Sequence, residues 1–205
     1  MTGKYIIYAA KVLSILFAPF YFSILAFLIM FVFSYMKMLP LDYKLLILGV
    51  VYGFTIALPL LGIAMYRKLS GLRRHQMTRR ELRVVPYVIS IVCYACCLVL
   101  MESLHIPHFM ISILVCALAV EVVCAVINNW VRISTHAAAA GAMNGALLAF
   151  SMIFNFNPVW WLCLTLLITG MVGSSRIILR QHSLAEVNWG ILVGFCCGVI
   201  TILTI

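Results

Sequence analysis

Seven long apolar runs constrain this chain more than any other feature of its sequence. A helix of about 20 apolar residues crosses the hydrocarbon core of a bilayer. Because 66% of the 205 residues are hydrophobic and 9% are charged, a soluble domain of this size cannot bury the apolar surface. The sequence therefore predicts an all-α, polytopic transmembrane helical bundle of six to seven spans, with residues 1–205 as one domain. The runs cover residues 12–36, 45–66, 84–101, 109–127, 137–154, 158–173 and 187–205.

The charge balance and the cysteines narrow the class of partner. The formal net charge is +9, but aromatic and basic residues do not interleave on a polar surface. This pattern favours membrane lipids and anionic substrates over nucleic acid. All eight cysteines lie in apolar runs, and Cys93-x-x-Cys96 has no second ligand pair at a suitable spacing. We interpret them as packing residues and expect no metal and no cofactor.

A cluster of ionisable residues lies between the last two apolar runs. Glu186 follows His182 by four residues, a spacing that puts both side chains on one face of a helix. A carboxylate on one imidazole nitrogen sets the tautomer and makes the other nitrogen the better nucleophile or base. Arg176 is a permanent cation suited to an oxyanion such as phosphate. We expect His182 and Glu186 to lie within hydrogen-bond reach.

Two further clusters carry groups that are compatible with phosphate. Ser134 precedes a helix-forming run and is typical of an N-cap, an anion-binding helix end, with Arg132 and His136 beside it. Arg80 and Arg83 share a helix face at i, i+3 and could bind one phosphate together, or they belong to an ordinary basic loop. Alternation of the spans puts loops 67–83, 128–136 and 174–186 on one side of the membrane, which favours one composite site.

The clusters resemble the motifs of the type 2 phosphatidic acid phosphatase superfamily. Arg176, His182 and Glu186 match the spacing of its third motif, with Glu186 in place of an aspartate. The stretch 133–136 resembles the second motif, Pro-Ser-Gly-His, with departures at Ile133 and Thr135. The stretch 80–86 resembles an arginine-rich version of the first motif, found in a divergent bacterial branch.

The resemblance implies a fold, a reaction and a role for each site residue. It implies a six-helix phosphatase-like core with one more span, and a lipid phosphatase without metal. His182 would be the nucleophile that forms a phosphohistidine, Glu186 would orient it, and His136 would be the acid and base. The phosphoryl oxygens would be held by Arg80, Arg83, Ser134, Arg176 and Arg132. Substrates of this class include phosphatidic acid, phosphatidylglycerol phosphate, undecaprenyl diphosphate and lipid A phosphates.

Other functions and two orientations stay open at this stage. A lipid phosphotransferase would use the same histidines and acid, and a non-catalytic membrane protein or transporter would use none of them. We expect an integral membrane protein of a bacterial inner membrane. Twelve of the 14 Lys and Arg residues lie on the side of the site, which favours a cytoplasmic site by the positive-inside rule. The resemblance favours the outward leaflet instead. The oligomeric state is unknown.

Overall fold

The computed structural model describes residues 2–33, 35–71 and 84–204, and these residues form helices without a strand. This confirms the predicted all-α class. A 3₁₀ turn at Tyr35–Met38 and a π-helical segment at Gly53–Ala57 interrupt the α-helices. The α-helices in the described ranges are α1 Thr2–Leu16, α2 Pro19–Phe33, α3 Leu41–Tyr52, α4 Leu58–Leu69, α5 Val84–Ser103, α6 His108–Ile127, α7 Thr135–Phe154, α8 Val159–Ile178 and α9 Leu184–Thr204.

The first apolar run, predicted over residues 12–36, is bent in the structure, and its helical part begins earlier, within α1. Helices α1 and α2 meet at an angle of 63°. The break lies just before Pro19, because proline has no N–H to donate and disfavours helical geometry in the residue before it. Six helices in the described residues are long and apolar enough to cross a membrane, and the bent pair adds a seventh if it forms one span.

The later spans agree with the prediction, with one difference that changes the site. Helix α3, the π segment and α4 form one continuous stretch, Leu41–Leu69. Helix α8 continues to Ile178, beyond the predicted end at residue 173. Arg176 therefore belongs to the last turn of a spanning helix, where the predicted loop 174–186 would have left it in a connection.

Short connections place the ends of several helices on one side of the bundle. Helices α6, α7, α8 and α9 follow one another in alternating directions, so α7 and α9 begin where α6 and α8 end. We call this side the site end. Helix α1 packs against α8 and also reaches the site end, through a hydrogen bond between Ser14 and Arg176.

Glycines bring α7 and α9 into backbone contact beneath the site end. A Cβ on Gly141 would collide with the main-chain oxygen of Ile191, and a Cβ on Gly194 would collide with that of Ala138. The small residues of Gly141-x-x-x-Gly145 therefore form a helix-packing surface. This close packing holds the start of α7 next to the start of α9, and Ser134 N–H donates to Glu186 O over 3.3 Å.

Candidate active site

A capping box places His182 beside Glu186. His182 lies in the bend before α9, so the two residues do not share a helix as the spacing predicted. Ser183 Oγ accepts from Glu186 N–H, and Glu186 Oε2 accepts from Ser183 N–H, each over 3.3 Å. This reciprocal pair is the capping box Ser-x-x-Glu, a sequence signal that our reading of 183–186 missed.

The expected contact between His182 and Glu186 is present. His182 Nδ1 and Glu186 Oε2 lie 2.8 Å apart, and 9% and 23% of the two side chains are exposed. The carboxylate accepts the Nδ1 proton, which leaves Nε2 as the nitrogen that carries the nucleophilic lone pair. The arrangement therefore suits nucleophilic or general-base chemistry at Nε2.

The second predicted cluster forms the start of α7. Ser134 is fully buried and caps the helix, since its Oγ accepts from Ala137 N–H over 3.4 Å. His136 lies in the first turn, close enough to Arg176 and His182 to interact with both electrostatically. Its Nδ1 is buried and has no hydrogen-bond partner among the described residues. The two histidines thus reach one region, His136 from the first turn of α7 and His182 from the bend before α9.

Arg176 connects this region to the N-terminal helix. Its Nη1 donates to Ser14 Oγ over 2.7 Å, across 162 residues of sequence. Its Nε is buried, and no acceptor within the described ranges satisfies it. This contact was not predicted from the sequence. A weak signal exists: Ala10 and Ser14 are small and lie at i, i+4, and both are buried in the structure.

A cleft of about 380 Å³ opens beside His182 at the site end. Arg132 lines it as predicted, but two of the other polar side chains, Arg180 and Gln181, were not predicted. Arg180 has a φ of 52°, in the left-handed region, and it turns the chain from α8 toward α9. The lining residues are Arg132, Ile177, Arg180, Gln181, His182, Ser183 and Glu186. A depression of similar size on α5, about 400 Å³, lies among Cys96, Val99 and Leu100 and offers no group for phosphate chemistry.

Arg80 and Arg83 lie outside the described residues, although α5, which follows them, begins at the site end. Within residues 2–33, 35–71 and 84–204, no three His, Cys, Asp or Glu side chains are grouped as a metal site requires. The expectation of a site without metal stays a prediction.

Comparison with known proteins matches the C-terminal part of the chain to a family. Residues 108–205 match the family model of the PAP2 superfamily. No curated protein and no solved structure matches the chain significantly. The matched range runs from α6 through α9 and includes His136, Arg176, His182 and Glu186, whereas α1 to α5 lie outside it. The C-terminal part of the chain is therefore similar to the PAP2 superfamily, in agreement with the resemblance of its motifs to those of the type 2 phosphatidic acid phosphatases.

Proposed function

We propose that this protein is a membrane lipid phosphatase that hydrolyses a phosphomonoester or diphosphate of a lipid through a phosphohistidine. The observation that carries the proposal is the 2.8 Å contact between His182 Nδ1 and Glu186 Oε2 beside a cleft at the site end. A carboxylate on Nδ1 directs the other ring nitrogen to act as the nucleophile.

The reaction follows two steps on the same phosphorus atom. His182 Nε2 attacks phosphorus, the bond from phosphorus to the leaving oxygen breaks, and protonated His136 donates a proton to that oxygen. A water molecule then attacks the phosphohistidine, neutral His136 accepts a proton from it, and the P–N bond breaks to release phosphate. His136 is therefore the acid in the first step and the base in the second.

Arginine side chains and a helix end supply the positive charge that the transition state needs. Phosphoryl transfer depends mainly on positioning and charge stabilisation. Arg176 lies near His136, Arg132 lines the cleft, and the first N–H groups of α7 have no acceptor within the helix. Arg80 and Arg83 complete the proposed set. No step in this reaction passes through a metal, so we expect activity in EDTA.

The position of the site favours a lipid substrate over a soluble phosphate ester. The cleft lies where α8 ends and α9 begins, at the boundary where apolar spans stop. Leu164, Leu166 and Leu167 of α8 are exposed, which is typical of a surface that faces acyl chains. A lipid could keep its chains along such a surface while its headgroup enters the cleft.

A phosphate-release screen tests the proposal. Purified protein in detergent with EDTA would be assayed on phosphatidic acid, phosphatidylglycerol phosphate, undecaprenyl diphosphate and a lipid A phosphate. We expect release from at least one lipid and no release by His182→Ala, because the nucleophile is gone. In a His136→Ala variant, labelled phosphate should accumulate on His182, because the second step lacks its base.

The control is His108→Ala, which removes an exposed histidine at the opposite end of α6 and should leave release unchanged. Wild-type turnover by His182→Ala would contradict the mechanism. Transfer of phosphate to an added alcohol in place of water would identify a phosphotransferase. Absence of release and transfer on all four lipids would favour the non-catalytic alternative.

A further inference from the structure

Helix α1 contributes a hydrogen-bond acceptor to the proposed active site, although it lies outside the part of the chain that matches the family. Ser14 Oγ accepts from Arg176 Nη1 over 2.7 Å, and Ser14 is 9% exposed. The main chain of the same residue lies close to the His136 ring. One residue of α1 therefore lies beside two of the groups that the proposed reaction uses.

The contact with Ser14 leaves the opposite edge of the Arg176 guanidinium available for a ligand. A guanidinium binds two oxygens of one phosphate through a planar fork, and the Nε–Nη2 edge is one such fork. Because Nη1 donates to Ser14 Oγ, the plane of the guanidinium is fixed, and Nε does not take part in this hydrogen bond. Nε is buried and has no partner among the described residues, a costly arrangement unless a ligand supplies the acceptor.

The His136 ring carries a second unsatisfied polar group at this end of the bundle. Its Nδ1 is buried without a partner in the described part of the chain. The ring lies close to the Ser14 main chain and interacts with Arg176. The unsatisfied Nδ1 is therefore the ring nitrogen that we assign to proton exchange with the ligand.

We propose that Ser14 is a positioning residue that orients Arg176 and His136 toward the phosphoryl group, and that α1 thereby completes the active site. The inference rests on the proposed function. Ser14 acts through its neighbours and does not itself touch the substrate. Its hydroxyl acts on Arg176 alone, whereas its main-chain contact with His136 does not depend on the side chain.

The test measures kcat, KM and inhibition by inorganic phosphate for Ser14→Ala on the lipid that gives the highest wild-type turnover. We expect kcat/KM to fall about tenfold to a hundredfold, because a hydrogen bond to a charged group is lost and its fork is displaced. Inhibition by phosphate should weaken in the same direction. Ser14→Thr, which keeps a hydroxyl, should recover most of the loss.

Two comparisons separate positioning from a general loss of folding. Ser23→Ala removes a buried hydroxyl that bonds to Tyr94 OH over 3.2 Å, away from the site, and should leave the kinetics within about twofold of wild type. In an Arg176→Lys background, where the fork is absent, Ser14→Ala should have no further effect. Such a loss of additivity is the signature of two residues that act as one unit.

Unchanged or faster turnover by Ser14→Ala, with unchanged phosphate inhibition, would overturn the inference. A full additional loss in the Arg176→Lys background would overturn it as well. If wild-type protein releases no phosphate from any lipid, the proposed function fails. The inference is then decided by whether Ser14→Ala weakens the thermal stabilisation that inorganic phosphate gives to the wild type.

Discussion

Glu186 takes part in two interactions through the same oxygen atom. Its Oε2 accepts from His182 Nδ1 over 2.8 Å and from Ser183 N–H over 3.3 Å. The hydrogen bond from Ser183 N–H holds the carboxylate at the start of α9. In that position the carboxylate also accepts from the His182 ring. A glutamate reaches farther than the aspartate of the resembling motif. It can therefore reach back from the first turn of the helix to a histidine in the preceding bend.

For phosphate release, the negative charge of Glu186 should matter more than its capacity to accept a hydrogen bond. Glu186→Gln keeps a side-chain oxygen for the Ser183 N–H but loses the negative charge that supports the imidazolium. We expect phosphate release to fall on the order of a hundredfold or more, with little change in thermal stability. The measurement is kcat/KM beside a melting curve, with Glu186→Asp as the charged comparison. Wild-type activity of Glu186→Gln would show that the carboxylate does not support His182.

At the scale of elements, the contact between α7 and α9 determines the geometry of the site. The two histidines belong to the start of α7 and the bend before α9, and those starts are linked by the Ser134 N–H to Glu186 O bond. The glycines on both helices let the backbones approach closely. A change at this interface should therefore move the two histidines relative to each other.

Gly194→Ala tests this dependence. Its Cβ would collide with the main chain of Ala138, which cannot move aside as a flexible side chain could. We expect a destabilisation of about 1–3 kcal/mol from overpacking, and a loss of activity in the protein that still folds. Gly170→Ala on α8 is the matched control, since a Cβ there meets nothing within 4 Å. Equal stability and activity of both variants would show that the α7–α9 contact is looser than described.

At the scale of the whole molecule, basic residues are concentrated at the site end. Of the described basic residues, Arg67 and Lys68 end α4, and Arg132, Arg176 and Arg180 surround the site. Lys37 and Lys44 lie at the opposite end, where Lys44 Nζ donates to Lys37 O over 2.7 Å. This asymmetry predicts a cytoplasmic site by the positive-inside rule.

A reporter fused after Ile205 tests the orientation. Helix α9 begins at the site end and runs across the bundle, so the C-terminus should lie on the opposite side, whether the chain has six or seven spans. We expect a fluorescent protein fused there to stay dark and a β-lactamase to protect cells from an external lactam. The opposite pair of results would place the site outside the cytoplasm, as the family resemblance favours.

The sequence by itself determined the class of the molecule, the contact between His182 and Glu186, and the side of the membrane shared by the candidate site residues. Apolar runs near the length of a bilayer predict spanning helices, because the hydrocarbon core leaves the backbone few other ways to satisfy its hydrogen bonds. The His182 and Glu186 contact was predictable because it is local. The order of the spans also brought Ser134, His136 and Arg176 to one side, since consecutive spans alternate in direction.

Only the tertiary structure decided how those residues meet. The break before Pro19 lets α1 bend back onto α8, and Ser14 then reaches Arg176 across 162 residues. The glycine contact between α7 and α9 brings His136 near His182. Neither contact is encoded in a short spacing. Each depends on which helix faces pack together, and that choice is made by the shape of the whole bundle.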